Sequence, residues 1–198
     1  MNVKERIGLF GGSFDPIHNG HLILAECAVN FVGLERVYFI PTAVPPHKAS
    51  GELAGFEMRK RMVELAIESN PRFELCLLES AEHPAYTYET IASFSEQGFG
   101  REQIHLIIGS DSLEDMSAWK NPERIFASAT IVAMRRPGRE NIPSLPDGTA
   151  LVVLESCSNS ISSSEIRSMV REGKSIRYIV PEAVERFIRD NKLYIGAT

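Results

Sequence analysis

The sequence predicts an α/β protein, a Rossmann-like open, mostly parallel sheet with helices on both faces and a C-terminal helical segment. Three observations predict it. Short runs rich in β-branched and aromatic residues alternate with longer helical patterns. Several of the short runs are almost continuously apolar, as strands covered on both faces are. The βαβα order calls for right-handed crossovers between parallel neighbours.

Each element follows in order. The first strand covers residues 6–10 (RIGLF) and runs into Gly11 and Gly12. A helix is expected over 21–31, closed by Gly33, because glycine ends helices without steric cost. Strands follow at 36–40 (RVYFI) and 73–78 (FELCLL), with a helix over 56–68 between them. A helix over 86–97 leads to a strand at 104–109 (IHLIIG). A short helix at 122–127 precedes strands at 130–134 (TIVAM) and 151–155 (LVVLE). Helices over 163–171 and 181–190 form the C-terminal segment. Two stretches rich in Pro and Gly, 41–55 and 136–148, begin where strands end. They read either as loops over a ligand crevice or as passive connections.

Bulk properties narrow the function. A chain of 198 residues supports one good core, so a single domain over 1–198 is expected. Hydrophobic content of 43% with 24% charged residues is that of an ordinary globular protein. The net charge of -5 argues against a general nucleic-acid binder. The apolar runs are too short for a membrane span and the N-terminus lacks a signal-peptide core, so no membrane partner and a cytoplasmic location are expected. Cys27, Cys76 and Cys157 are widely spaced and free of any CxxC pattern, which reads as reduced thiols. Ile179, Val180, Phe187 and Ile188 either pack inside the chain or form a homo-oligomer interface.

The stretch GLFGGSFDPIHNGH, residues 8–21, carries the first chemistry. Gly11 and Gly12 directly after a strand let a ligand approach the backbone. The helix that follows offers free amides and a partial positive charge at its N-terminus. His18 and His21, three apart, share one face of that turn. Imidazoles donate hydrogen bonds to phosphate oxygens, more strongly when protonated. Phosphate binding explains the whole stretch. It is not a Walker loop, since no Gly-Lys-Ser/Thr follows, and it lacks the third glycine of a dinucleotide fingerprint. Two rivals remain: a zinc site using His18 and His21 with His47 or Asp15, and a structural pair of capping histidines.

NSISSSEIRSM, residues 159–169, is the second signal. Ser162 or Ser163 can cap the helix, with Glu165 completing a capping box. The same serines, with Arg167 one turn in, also form an oxyanion cradle of hydroxyls, amides and a guanidinium. Two helix N-termini aimed at one crevice suit a polyphosphate.

GGSFDPIHNGH together with SISSSEIR resembles the HxGH-class nucleotidyltransferases, and more closely the bacterial nicotinate-nucleotide adenylyltransferases. PTAVPPHK, MRKRMVELA, YTYETI, IIGSDSL with Trp119 behind it, and RRPG extend the resemblance in order through nearly the full length. It implies a single nucleotidyltransferase domain that transfers the adenylyl group of ATP to nicotinate mononucleotide. The products are deamido-NAD and pyrophosphate, within NAD biosynthesis, with Mg²⁺ carried on ATP and no metal held by the protein itself.

By the same resemblance Gly11, Gly12, Ser13 and Phe14 hold ATP and the join between the two nucleotides. His18 and His21 contact the ATP phosphates. Gly109 and Asp111 serve the adenosine side, the Asp111 carboxylate being suited to ribose hydroxyls. Ile161, Ser162, Ser163 and Arg167 lie along adenine and the triphosphate, so His18, His21 and Arg167 form the catalytic set. Lys48, Tyr86, Thr87, Trp119 and Arg136 form the nicotinate mononucleotide side, together with Thr42, which stands where related sequences commonly carry Asn. The alternatives are another HxGH-class transferase, such as one preferring nicotinamide mononucleotide, a nucleotide-binding module without catalysis, and a zinc hydrolase.

Overall fold

Six parallel strands in the order β3-β2-β1-β4-β5-β6 make up the sheet. The structure, a computed structural model, describes residues 5–43, 53–78, 86–134, 145–155 and 160–195. The strands are β1 (Ile7–Gly12), β2 (Arg36–Pro41), β3 (Phe73–Leu75), β4 (Ile104–Gly109), β5 (Thr130–Met134) and β6 (Leu151–Leu154). The helices are α1 (Asn19–Ala28), α2 (Phe56–Ile67), α3 (Thr87–Glu96), α4 (Ser110–Asp115), α5 (Pro122–Ser128), α6 (Ser163–Arg171) and α7 (Glu182–Asp190).

Alternation along the central strands builds two cores. In β1, Phe10 faces one layer while Ile7 and Leu9 face the other; in β4, Ile107 is set against Ile104, Leu106 and Ile108. That period of two lets both faces be apolar, as the near-continuous runs require. The first core is closed by α1, α2, α6 and α7 through Leu24, Met62, Ile166, Val184 and Ile188. The second is closed by α3, α4 and α5 through Ile91, Phe94, Leu113 and Ile125. Gly8 keeps β1 tight: a Cβ there would stand 2.8 Å from Ile107 Cδ1 and 3.1 Å from Val37 Cγ2.

The elements depart from expectation in a few places. β1 continues through Gly11 and Gly12, which pair with Ile40 and Pro41. α1 begins at Asn19, two residues early, and closes in a π turn over Val29–Gly33. β3 stops at Leu75 because it is an edge strand whose ladder on β2 covers only Val37–Phe39. GSDSLED, with its Ser and Asp cluster, hides a short helix, α4, followed by a 3₁₀ turn over Met116–Ala118. Val180 and Ile188 are buried and Ile179 and Phe187 pack on the same core, so these apolar residues serve intramolecular packing. Cys76 is a free thiol, whereas Cys27 is disulfide-bonded, so the expectation of reduced thiols does not hold for Cys27. Among the described residues no helix is long and apolar enough to cross a membrane.

His105 on β4 is buried, with Nδ1 3.1 Å from the Gln103 carbonyl. Burial holds its imidazole below the usual range, with the Arg6 charge acting in the same direction. The unfolded chain takes up a proton near pH ~6.5 while the folded state resists it, so this contribution to stability is present above that pH and lost below it. Urea midpoints measured at pH 7.5 and 5.5 are expected to fall less for His105→Gln than for the wild-type protein.

Candidate active site

β1 and β4 are neighbours, yet the chain proceeds from β1 outward to β2 and from β4 outward to β5. The order therefore reverses between them, and a crevice opens beyond their carboxyl ends. Gly11 and Gly12 end β1 there, and Gly109 ends β4 as the N-cap of α4. A side chain added at Gly11 or Gly109 would meet nothing within 4 Å among the described residues, so the backbone is approachable at both. Gly12 has a different reason: a Cβ would stand 3.2 Å from the Phe14 ring, which folds back over it. Phe14 does so in the left-handed region (φ 46) and is buried.

From Phe14 the loop turns inward through a cis Asp15-Pro16 bond to His18, the N-cap of α1. The two imidazoles stack with centroids 3.6 Å apart, and the His21 ring packs edge-on against Phe10 and Phe14. The His18 backbone N–H donates to His21 Nδ1 at 3.1 Å. That bond assigns His21 the neutral tautomer with its proton on Nε2. Two imidazolium rings stacked this closely would repel by roughly 4–5 kcal/mol at an effective dielectric of about 20. The pair is thus both a cap and a donor face, and the capping and phosphate readings are compatible. Because α1 starts at Asn19, its first amide is that of Asn19, which donates to the Ile179 carbonyl at 2.9 Å, and the Asn19 side chain donates to the Tyr178 carbonyl.

α6 reaches the same loop. Ser162 caps the helix, accepting from the Glu165 amide and donating its hydroxyl to the Glu165 carboxylate. The Ser163 hydroxyl donates to the Pro16 carbonyl at 2.9 Å, and Arg167 Nη1 donates to the Asp15 carbonyl at 2.8 Å. Both serine hydroxyls are therefore engaged within the protein. What α6 can offer an anion is the backbone amides of Ser163 and Ser164, which have no protein partner among the described residues, and the rest of the Arg167 fork. Ile161 packs against the first core below them.

Two residues that hold the loop escape motif reading. Asp15, which the sequence offered only as a zinc donor, is fully buried and accepts from the Ala54 amide and the Tyr194 hydroxyl. Arg59 is 2% exposed; its Nη1 donates to the carbonyls of Ser13 and Thr42, Nη2 to Ala43 and Nε to Ala54. One planar fork thus ties the ends of β1 and β2 to the start of α2. Its sequence signal was available: Arg59 falls in register with the buried stripe Met62, Val63, Ala66 and Ile67. Thr42 joins this side by its backbone, its amide donating to the Gly12 carbonyl at 2.9 Å.

The structure gathers a second cluster around the start of α3. Tyr86 is the N-cap, so Thr87 is the first helical residue. The Thr87 and Tyr88 amides have no protein partner among the described residues. Glu89 reaches back to the Tyr86 amide and the Tyr88 hydroxyl, and these bonds, with Lys120 and Arg124 nearby, hold its carboxyl below the usual range. Lys120 Nζ lies 4.0 Å from the centre of the Tyr86 ring and the Arg124 guanidinium 4.8 Å from that of Tyr88. Trp119, beside Lys120, is half-buried against the second core. Asp111 lies in the first turn of α4, where only its backbone is described; Lys48, Arg136 and His47 lie outside the described residues. Among the described residues no three His, Cys, Asp or Glu side chains converge as metal ligands.

A glycine-ended strand at the switch point, a two-histidine cap and a second helix N-terminus tied to the same loop suit the phosphates of a nucleotide. The cytidylyltransferase-like family model matches residues 9–169. A relative from Bacillus mycoides, named "Probable nicotinate-nucleotide adenylyltransferase", is 37% identical over 191 residues, 96% of this chain and 98% of its own. One of the same name from Geobacillus thermodenitrificans is 37% identical over 194 residues, 98% of this chain and 88% of its own. The solved structure of Plasmodium falciparum nicotinic acid mononucleotide adenylyltransferase complexed with NaAD superposes with a TM-score of 0.78 at 20% identity. That likeness covers 96% of this chain and 97% of that one, and it shows the shared fold. The chain belongs to the nicotinate-nucleotide adenylyltransferase family of cytidylyltransferase-like proteins.

Replacing Arg59 by Met leaves buried carbonyls without donors and is expected to cost about 3–5 kcal/mol in urea unfolding. Arg59→Lys is expected to recover less than half of that, since a point-like ammonium cannot span the carbonyls at once.

Proposed function

We infer that the chain transfers the adenylyl group of ATP to nicotinate mononucleotide, giving deamido-NAD and pyrophosphate. The observation that carries this reading is the direct bonding of α6 to the histidine loop, through Ser163 to Pro16 and Arg167 to Asp15. It brings two imidazoles, two amides without a protein partner among the described residues and a guanidinium to the mouth of one crevice. We take residues 1–198 as a single nucleotidyltransferase domain, in keeping with one sheet shared by both cores.

In the reaction a phosphate oxygen of the acceptor forms a bond to the α-phosphorus of ATP. The bond from that phosphorus to the bridging oxygen breaks, and pyrophosphate leaves with the electron pair. A nucleotide phosphate is largely deprotonated at neutral pH, with a second pKa near ~6 by analogy with phosphorylated side chains. No protein base is required, and catalysis rests on positioning and charge neutralisation. His21, held as the Nε2–H tautomer, donates to the phosphate oxygens without carrying a full charge. His18 contributes a second ring on the same face, and Arg167 and the α6 amides take up charge developing on pyrophosphate. Mg²⁺, when bound, neutralises phosphate oxygens. Asp15 is fully buried and engaged with Arg167 and Tyr194, so the donor set fits a metal carried on ATP rather than caged by side chains.

The α3 cluster supports nicotinate over nicotinamide. Two amides at a helix start, without a protein partner among the described residues, and two cations set near Glu89 favour a carboxylate over a neutral amide. Trp119 supplies an aromatic face for the pyridine ring.

His21→Ala is expected to lower turnover by ~10²–10³-fold, the loss typical of a preorganised oxyanion donor. Pyrophosphate release within threefold of wild type from the folded variant would discard this role. Release measured with the two acceptors in parallel is expected to favour nicotinate mononucleotide strongly; equal efficiency would keep the transfer chemistry and remove the α3 account.

A further inference from the structure

We propose that Tyr194 is a positioning residue for adenylyl transfer: by sharing the Asp15 carboxylate, it keeps the Arg167 guanidinium available to the nucleotide phosphates. The proposal rests on the reading of Arg167 as a phosphate ligand given above.

The geometry is that of a divided carboxylate. Asp15 is fully buried, and Arg167 is the cation it pairs with. A buried carboxylate facing a guanidinium ordinarily draws it into a close, two-pronged pair. Here Arg167 Nη1 stands 3.6 Å from Asp15 Oδ2, too far for a hydrogen bond, and donates to the Asp15 main-chain carbonyl instead. The other oxygen, Oδ1, accepts from the Tyr194 hydroxyl at 2.7 Å and the Ala54 amide at 3.1 Å. These two donors fix the rotation of the carboxylate and take up much of its charge. Arg167 is thereby anchored through one nitrogen, while Nε and Nη2 have no protein partner among the described residues. Its side chain is 15% exposed, enough for those donors to meet a ligand.

Two further features concern Tyr194 itself. It sits in the left-handed region (φ 63) within the turn that follows α7, a costly conformation for an aromatic residue. Burial and the adjacent Asp15 charge push its phenol above the usual range, so it remains a donor wherever the protein is folded. The chemistry the reaction needs from Arg167, a fork not consumed by its own counter-ion, is what this arrangement supplies.

The test compares wild type with Tyr194→Phe, which removes only the hydroxyl. Affinity for Mg²⁺ with α,β-methylene-ATP is measured by calorimetry, alongside steady-state pyrophosphate release. Tyr194→Phe is expected to weaken both analogue affinity and the KM for ATP about tenfold, and to leave the KM for nicotinate mononucleotide within about twofold. A lowered melting temperature with unchanged nucleotide affinity would make Tyr194 a structural peg and overturn the proposal. In an Arg167→Ala background the further change Tyr194→Phe is expected to add nothing; additive losses would also overturn it. Replacing Tyr194 by 4-aminophenylalanine restores a donor of the same reach, serves if the Phe variant does not fold, and is expected to keep affinity within about threefold of wild type. A loss matching that of Arg167→Ala counts against the proposal. A wild-type protein that neither binds the analogue nor turns over ATP would remove the adenylyl-transfer reading and this proposal with it. An active wild type with an indifferent Tyr194→Phe removes this proposal alone.

Discussion

A carboxylate buried without any exposure sits in the loop after β1, and the rest of the site depends on how Asp15 is satisfied. Moving such a charge out of water costs several kcal/mol after relaxation, so it persists only where partners converge on it. They come from three distant parts of the chain: Ala54 ahead of α2, Arg167 on α6 and Tyr194 beyond α7. Each partner brings its own element to the loop. Arg59 completes the frame from the other side by collecting the carbonyls that the strand ends leave unpaired.

Polar groups are therefore handled in two ways around one crevice. Below it, the Arg59 and Arg167 guanidinium groups take up main-chain carbonyls and Asp15 Oδ1 is bonded, while Asp15 Oδ2 accepts no hydrogen bond and faces Arg167 at 3.6 Å. At its mouth, the first amides of α3 and α6 have no protein partner among the described residues and the imidazoles present donors. A parallel sheet makes this division natural, because its strands all end on the same edge and hand the chain to helices whose N-termini face that edge. The side that offers donors to an anion and the side bonded within the protein are separated by only a few residues along the loop.

The sequence conveyed much of this, and its limits have physical causes. Near-continuous apolar strands and their alternation with helices made the parallel sheet legible. The histidine pair and the serine cluster stood out because neither a turn nor a cap needs that many functional groups. Other features depend on contacts that no local pattern encodes. The Asn19 amide at the start of α1 meets Ile179, 160 positions away. The Ser163 hydroxyl looked open to an anion, and it donates to the Pro16 carbonyl. α4 was missed because its Ser and Asp residues favour caps and turns, and tertiary packing of Leu113 overrides that preference. Arg59 was legible in principle, as a charge at a core-facing helix position, yet only the carbonyls around it reveal its purpose.

The bond between Asp15 and Tyr194 spans 179 residues. It closes a long loop onto the turn after β1, and it forms only once the elements at both ends have been brought together. Contacts of such separation form late and slow the approach to the native state, as parallel pairings do. The histidine loop is accordingly among the last segments to reach its working geometry. A chain that has assembled the sheet but not seated its final turn would hold a native-like core around an inactive site.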